Sequence, residues 1–156
     1  MRQVFNEGND NAISSGLLVL RIVTGIAFFM HGWQKLVDYG LSATQGSFEA
    51  MGVPMAETAA VVATFIELVG GAMLIAGVLT RIVGLVLAIE MAAALFTVHL
   101  GNGFFIGTNG IELVLVLGGA ALALAITGPG RYAVDAFIPA PVASREASYP
   151  GEPRTA

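Results

Sequence analysis

Four apolar stretches, at residues 13–36, 56–79, 82–100 and 111–127, alternate with shorter polar connections along the chain. At a rise of about 1.5 Å per residue, each predicts a helix long enough to cross the roughly 30 Å of hydrocarbon in a bilayer. A helix on the surface of a soluble protein keeps a polar face along its length, whereas these stretches hold only isolated polar residues. Helices also satisfy the backbone where no water is present. The pattern therefore predicts an all-α, integral membrane four-helix bundle over residues 13–131. A polar segment at 1–12 precedes it, and a proline-bearing, loosely ordered tail at 132–156 follows it.

The connections refine this picture. Only Thr80 and Arg81 separate the second and third stretches, which makes those helices an antiparallel hairpin. The ten residues from Gly101 to Gly110 are uncharged and glycine-rich, with Phe104, Phe105 and Ile106 positioned to dip into the interface or cap the bundle. The longest connection, 37–55, carries Asp38, Glu49 and the breakers Gly52 and Pro54. Ile66-Glu67-Leu68-Val69 recurs as Ile111-Glu112-Leu113-Val114, and each copy runs on through a Gly-Gly pair to an arginine. The echo suggests two helical hairpins related in parallel, as in several duplicated membrane folds.

Composition agrees with the pattern. Of the 156 residues, 56% are hydrophobic and 12% charged, against about 25% charged in soluble domains, and the mean hydropathy is +0.79. The lipid bilayer is thus the first expected partner, and the loops leave no room for a separate soluble enzyme domain. A net charge of −4 without a basic stripe argues against nucleic acid. The absence of cysteine removes disulfide, thiol and Cys-ligated cluster chemistry from this chain. The first residues carry Glu7 and Asp10 rather than the basic start of a secretory signal, so the first stretch is expected to be a retained span. Arg2, Arg81, Arg131, Arg145 and Arg154 fall on one side of the predicted bundle and Lys35 on the other. The positive-inside rule then expects both termini in the cytoplasm.

Candidate chemistry lies in the charges that hydrocarbon disfavours. A charge at the bilayer centre costs about 2.5–3.5 kcal/mol on insertion scales, so Arg21, Glu67 and Glu90 should face inward and find partners. Their expected depths of roughly 10–13 Å, with Glu67 somewhat higher, allow Arg21 to pair with one of the two acids. Two readings compete for this layer: the pair serves only to fix which helices meet, or Glu67 or Glu90, left uncompensated, exchanges a proton. A second layer, comprising His31, Gln34, Lys35, His99 and Glu112, is expected near the outer face, where His31 and His99 could hydrogen-bond a quinone carbonyl. Together the two layers would form a polar ladder. No short spacing joins the histidines to Glu112, so no metal site is expected. Lys35 and Trp33 also suit an anchoring role at the headgroups. Glu90 and His99 fall about half a turn apart on a helical wheel, so they should not line one channel. Gly70 and Gly77, on one face with Ala63 and Glu67, read as sites of close helix packing.

Leu20-Arg21-Ile22-Val23-Thr24-Gly25, then Phe28, Phe29 and His31-Gly32-Trp33-Gln34-Lys35-Leu36, resemble the opening of the DoxX family. Gly52-Val53-Pro54, Ile66 to Gly71, Gly77 to Arg81 and the fourth stretch with Glu112 resemble its later landmarks in the same order. The resemblance spans residues 17–131. It implies a four-helix protein of the bacterial inner membrane, with relatives linked to quinone-associated oxidoreduction and oxidative stress through soluble redox partners. Arg21, His31, Lys35 and Glu67 occupy the family-like motifs. No haem, flavin or nicotinamide fingerprint accompanies them, so the expectation is at most a quinone-interacting subunit that works with a catalytic partner. The alternatives are an oligomeric proton-coupled transporter, which would need a homo-oligomer, and a non-catalytic membrane scaffold or assembly factor.

Overall fold

The computed structural model describes the backbone of residues 2–137 and the side chains of 10–137. It is all-helical among those residues, with α1 at Arg2–Trp33, α2 at Leu41–Ala50, α3 at Ala56–Ala76, α4 at Thr80–Ala94 and α5 at Glu112–Thr127. Helix α1 packs chiefly on α3, and α4 on α5, so the bundle is two antiparallel pairs joined along the α3–α4 contact. The α1–α5 seam is the loosest of the four sides. Phe28, Leu74, Leu87, Ala121 and Leu124 are fully buried at its centre, while Val19, Ile26, Val62, Ile89, Val116 and Ile126 face outward. An apolar outside is what lipid contact requires.

Three helical segments, Asp10–Asp38, Ala56–Ala76 and Thr80–Asn102, are long and apolar enough to cross a membrane. The fourth falls short: α5 has 16 residues, or about 24 Å. The loop before it folds back on the start of α5. Gly103 and Phe104 carbonyls accept from the Ile111 and Glu112 amides at 3.0 and 2.8 Å.

Several connections differ from expectation. The turn between α3 and α4 is Gly77–Leu79, and Thr80-Arg81 already belong to α4. Gly77 takes a left-handed φ of 73°, and the Gly77 and Val78 amides both reach the Met73 carbonyl, a Schellman-type stop that glycine permits at little cost. The connection 37–55 contains α2, which packs on α3. Thr44 is buried there, its hydroxyl donating to the Lys35 carbonyl at 3.0 Å. The start of the expected loose tail is docked: Ala133 is buried, and the Asp135 amide donates to the Gly77 carbonyl at 2.9 Å. Residues 138–156, with Arg145 and Arg154, lie outside the described residues.

Glycines set how close the pairs come. A Cβ on Gly32 would stand 2.4 Å from the Leu68 amide nitrogen, and one on Gly71 would stand 2.4 Å from that of Phe29. Backbone therefore meets backbone along α1 and α3, the small-residue packing that membrane helices favour. Gly84 approaches the Ala121 carbonyl of α5 in the same way. Gly70, expected at such a contact, instead faces Leu87 at an ordinary 3.4 Å, and Gly77 is the helix stop.

The two pairs are also related at the end that carries the α3–α4 turn, here the turn end. The guanidinium of Arg21 lies against Gly77, which stops α3, and that of Arg81 against Gly128, which stops α5. Two hairpins of the same orientation account for this correspondence. The repeated Ile-Glu-Leu-Val letters do not share it, because Glu67 lies deep within α3 whereas Glu112 is the first residue of α5.

Candidate functional site

Arg21 does not pair with a glutamate. Arg21 is 2% exposed, and its guanidinium donates to the carbonyls of Pro129 at 3.0 Å and Tyr132 at 2.7 Å. The expected depth failed because α1 begins at Arg2 and runs well past the bundle, so Arg21 stands level with the α3–α4 turn. Asp135 completes this end by accepting from the Leu79 and Thr80 amides at 2.7 and 2.9 Å. It thereby caps α4, whose Leu79 N-cap is held at a left-handed φ of 49°. Arg81 donates to the carbonyls of Ala125, Ile126 and Thr127 at the end of α5. This end is a set of mutual caps.

The acids find a different cation. Lys35 forms an ion pair with Glu67, the single salt bridge among the described residues, with side chains 19% and 7% exposed. Counting from the turn end at about 1.5 Å per residue, His31, Glu67 and Glu90 each stand about 15 Å up their helices. Lys35 lies one turn beyond. His31 feels the charges of both Glu67 and Lys35, and so does Glu90 from α4. Both Glu90 carboxyl oxygens are buried without a hydrogen-bond partner. One ammonium compensates one carboxylate, so a neutral cluster requires one proton on the two acids.

Local structure explains the convergence. The approach at Gly32 and Leu68 brings Lys35, three residues further along the chain, against Glu67, one residue back on α3. Beyond Trp33 the helix widens into a π-turn over Gln34–Asp38, and α4 does the same over Leu95–His99. Such turns recur at functional sites, since they shift side chains out of α register. On the flank of α1 away from α3, Ala27, Met30, His31, Gln34 and Asp38 line a cleft of about 240 Å³.

His99 and Glu112 stand apart from this cluster. The Nδ1–H of His99 donates to the Asn109 carbonyl at 2.8 Å, and Glu112 Oε2 accepts from the Ile106 amide at 2.9 Å. Both organise the loop, leaving Phe104, Phe105 and Ile106 exposed at its tip. The expected polar ladder is thus broken. A loop-bracing pair lies at one end and Arg21 at the other, with an apolar layer between Arg21 and the cluster. Among the described residues no three His, Asp or Glu side chains gather as a metal-holding group.

Asp135 and Thr44 were not anticipated as structural residues. The signal for Asp135 was an acid shortly after Gly128-Pro129-Gly130, within reach of an α4 start that has no cap of its own. Thr44 carried no signal, because its partner carbonyl is freed only by the π-turn.

The chain is 37% identical over 129 residues to CatD of Bacillus subtilis (strain 168), which bears the provisional name of oxidoreductase; the match covers 83% of this chain and 91% of CatD. It is 37% identical over 125 residues to the inner membrane protein YqjF of Escherichia coli (strain K12), covering 79% and 92% of the two chains. The inner membrane protein YphA of the same organism is 30% identical over 124 residues, covering 76% and 87%. No solved structure matches the chain. Residues 16–100, which carry Arg21, His31, Lys35, Glu67 and Glu90, match the DoxX family, and this membrane protein belongs to that family.

Proposed function

We propose that the protein is the membrane component of a quinone-linked redox or oxidative-stress system, holding a quinone-like headgroup beside His31, Lys35, Glu67 and Glu90. The observation that carries this reading is the Lys35–Glu67 pair with the unpartnered Glu90 carboxyl beside it, at mid-bundle and next to a cleft. Lys35 and His31 are donors suited to carbonyl oxygens, and Glu90 is a buried carboxyl with no other use for its proton. The cleft is smaller than the about 300–1,000 Å³ of drug-sized pockets, so it suits a headgroup whose tail stays in lipid. The provisional name of CatD, an oxidoreductase, supports the redox part of this reading and says nothing of its acceptor.

A bound quinone would supply an acceptor of two electrons and two protons, the electrons coming from a reduced soluble oxidoreductase. This chain's own residues orient and protonate. Lys35 holds an oxygen while neutralised by Glu67, Glu90 in its acid form gives one proton, and His31 relays the second from water. Arg81 and Arg131, gathered at the turn end, support a cytoplasmic location for that end and for the partner.

Short-chain decylubiquinone retained by the purified, detergent-solubilised protein tests the reading. Loss of a charge-assisted hydrogen bond costs about 1.5–3 kcal/mol, so Glu67→Gln with His31→Ala should lower retention about tenfold or more. Equal retention in wild type and variant, with both folded, would refute it.

A further inference from the structure

We infer that the cleft along α1 is a one-sided aqueous route, by which the buried cluster exchanges water and protons with the loop end and not with the turn end. The inference rests on the proposed reading of this cluster only for what the protons are used for.

The route follows from which residues line the cleft and which block the opposite direction. Asp38 is exposed at the loop end, Gln34 lies about one turn inward, His31 about one turn further, and Ala27 at the floor. These residues share one flank of the first helix and its π-turn with Met30, and the polar positions His31, Gln34 and Asp38 form a line about 10 Å long above the apolar floor. The line runs beside the seam where α1 and α5 are least tightly joined. The charged groups near its inner end, none of them lining the cleft itself, are Lys35 from the π-turn, Glu67 from α3 and Glu90 from α4, while Asp38 stands at the outer end. On α5, Glu112 is engaged by the Ile106 amide. Water is the natural partner for such groups, since polar side chains without one are costly to bury.

Towards the turn end no such line exists. Phe28, Leu74, Leu87, Ala121 and Leu124, from all four bundle helices, are each 0% exposed. Counted along their helices, they occupy the layer from about 4 to about 11 Å above the turn end, directly beneath the cluster at about 15 Å. Below them Arg21, Arg81 and Asp135 are committed to backbone groups. Thr24 is the one buried polar side chain in this layer among the described residues, and its hydroxyl is not a titratable carrier, so a proton reaching Glu67 or Glu90 from that side would cross otherwise apolar packing. The two carboxyls therefore equilibrate with one compartment, which is the outer one when the turn end faces the cytoplasm.

The chain has no cysteine, so single cysteines report access directly. Gln34→Cys and Ala27→Cys test the cleft, and Ala121→Cys tests the plug. Gly107→Cys, in open space at the loop end, and the exposed Val134→Cys mark the two sides. Each variant is reconstituted in vesicles sorted by orientation and treated with a membrane-impermeant sulfonated maleimide. The expected result is that Gln34→Cys and Ala27→Cys label at least about tenfold faster from the Gly107 side than from the Val134 side, with Ala121→Cys unlabelled from either. Labelling of both cleft positions from the Val134 side, or from neither side while Gly107→Cys reacts, would overturn the inference. Because the assay needs no quinone and no turnover, its outcome is independent of the decylubiquinone result. A melting curve for each variant identifies any that misfold, and the two cleft positions back each other up.

Discussion

Replacing Gly32 by alanine tests whether backbone contact between α1 and α3 builds the cluster. The added Cβ would sit 2.4 Å from the Leu68 amide nitrogen, 2.7 Å from its Cα and 2.8 Å from its Cβ. Ordinary contact begins at 3.4 Å, so α1 and α3 must part by about 1 Å. The obstructing atoms are backbone and cannot rotate aside, which places the cost near the upper end of the about 1–3 kcal/mol for overpacking. Alanine recovers about 1 kcal/mol of helix propensity on soluble scales, leaving a net loss of about 2 kcal/mol. Gly119→Ala is the matched control, because nothing lies within 4 Å of its Cβ and only the propensity gain applies. The two substitutions, chemically the same, should differ by about 3 kcal/mol in unfolding by SDS titration from mixed micelles, followed by circular dichroism. Gly32→Ala should also loosen Lys35 from Glu67, lowering decylubiquinone retention, while Gly119→Ala leaves it unchanged. Equal stability of the two variants would refute the claim that this contact holds the helices together.

Three further outcomes follow from the same geometry. Lys35→Met, which leaves Glu67 buried without its cation, should cost about 3 kcal/mol, while Lys35→Met with Glu67→Leu should return to within about 1 kcal/mol of wild type. A coupling energy under about 0.5 kcal/mol in that cycle would show the pair to be energetically idle. Arg21→Leu should expose residues 129–137 to protease, and adding Glu90→Leu should not rescue it, since Arg21 binds carbonyls and no acid; rescue would restore the Arg21–glutamate pairing. Asp135→Ala should lose about 1–2 kcal/mol of α4 capping, whereas Leu79→Gly should gain about 1 kcal/mol by relieving the left-handed backbone, both read from the same SDS titrations.

That this is a helical membrane protein is legible in the amino-acid order alone. Its long apolar stretches, the near absence of charge within them and the brief hairpin connection each have a physical meaning that requires no partner to interpret. It also identified the residues whose burial demands an explanation, because a charge in hydrocarbon is costly wherever it points. Which of those charges meet was decided by tertiary structure. Arg21 is separated from Glu67 and Glu90 by the starting point of α1, a helix that extends beyond the apolar stretch and shifts its register against α3. Lys35 reached Glu67 because Gly32 lets two backbones touch, a pairing set by the contact between helices. His99 and Glu112, equal in sequence to the other candidates, were drawn into bracing the 103–111 loop, because nearby backbone groups there needed partners. Asp135 acquired its role because the chain returns over the α3–α4 turn, a contact 55 residues away in sequence from the amide it caps. Periodicity and polarity are local properties and can be read along one chain, whereas a site made from three helices depends on their relative heights, which packing alone sets.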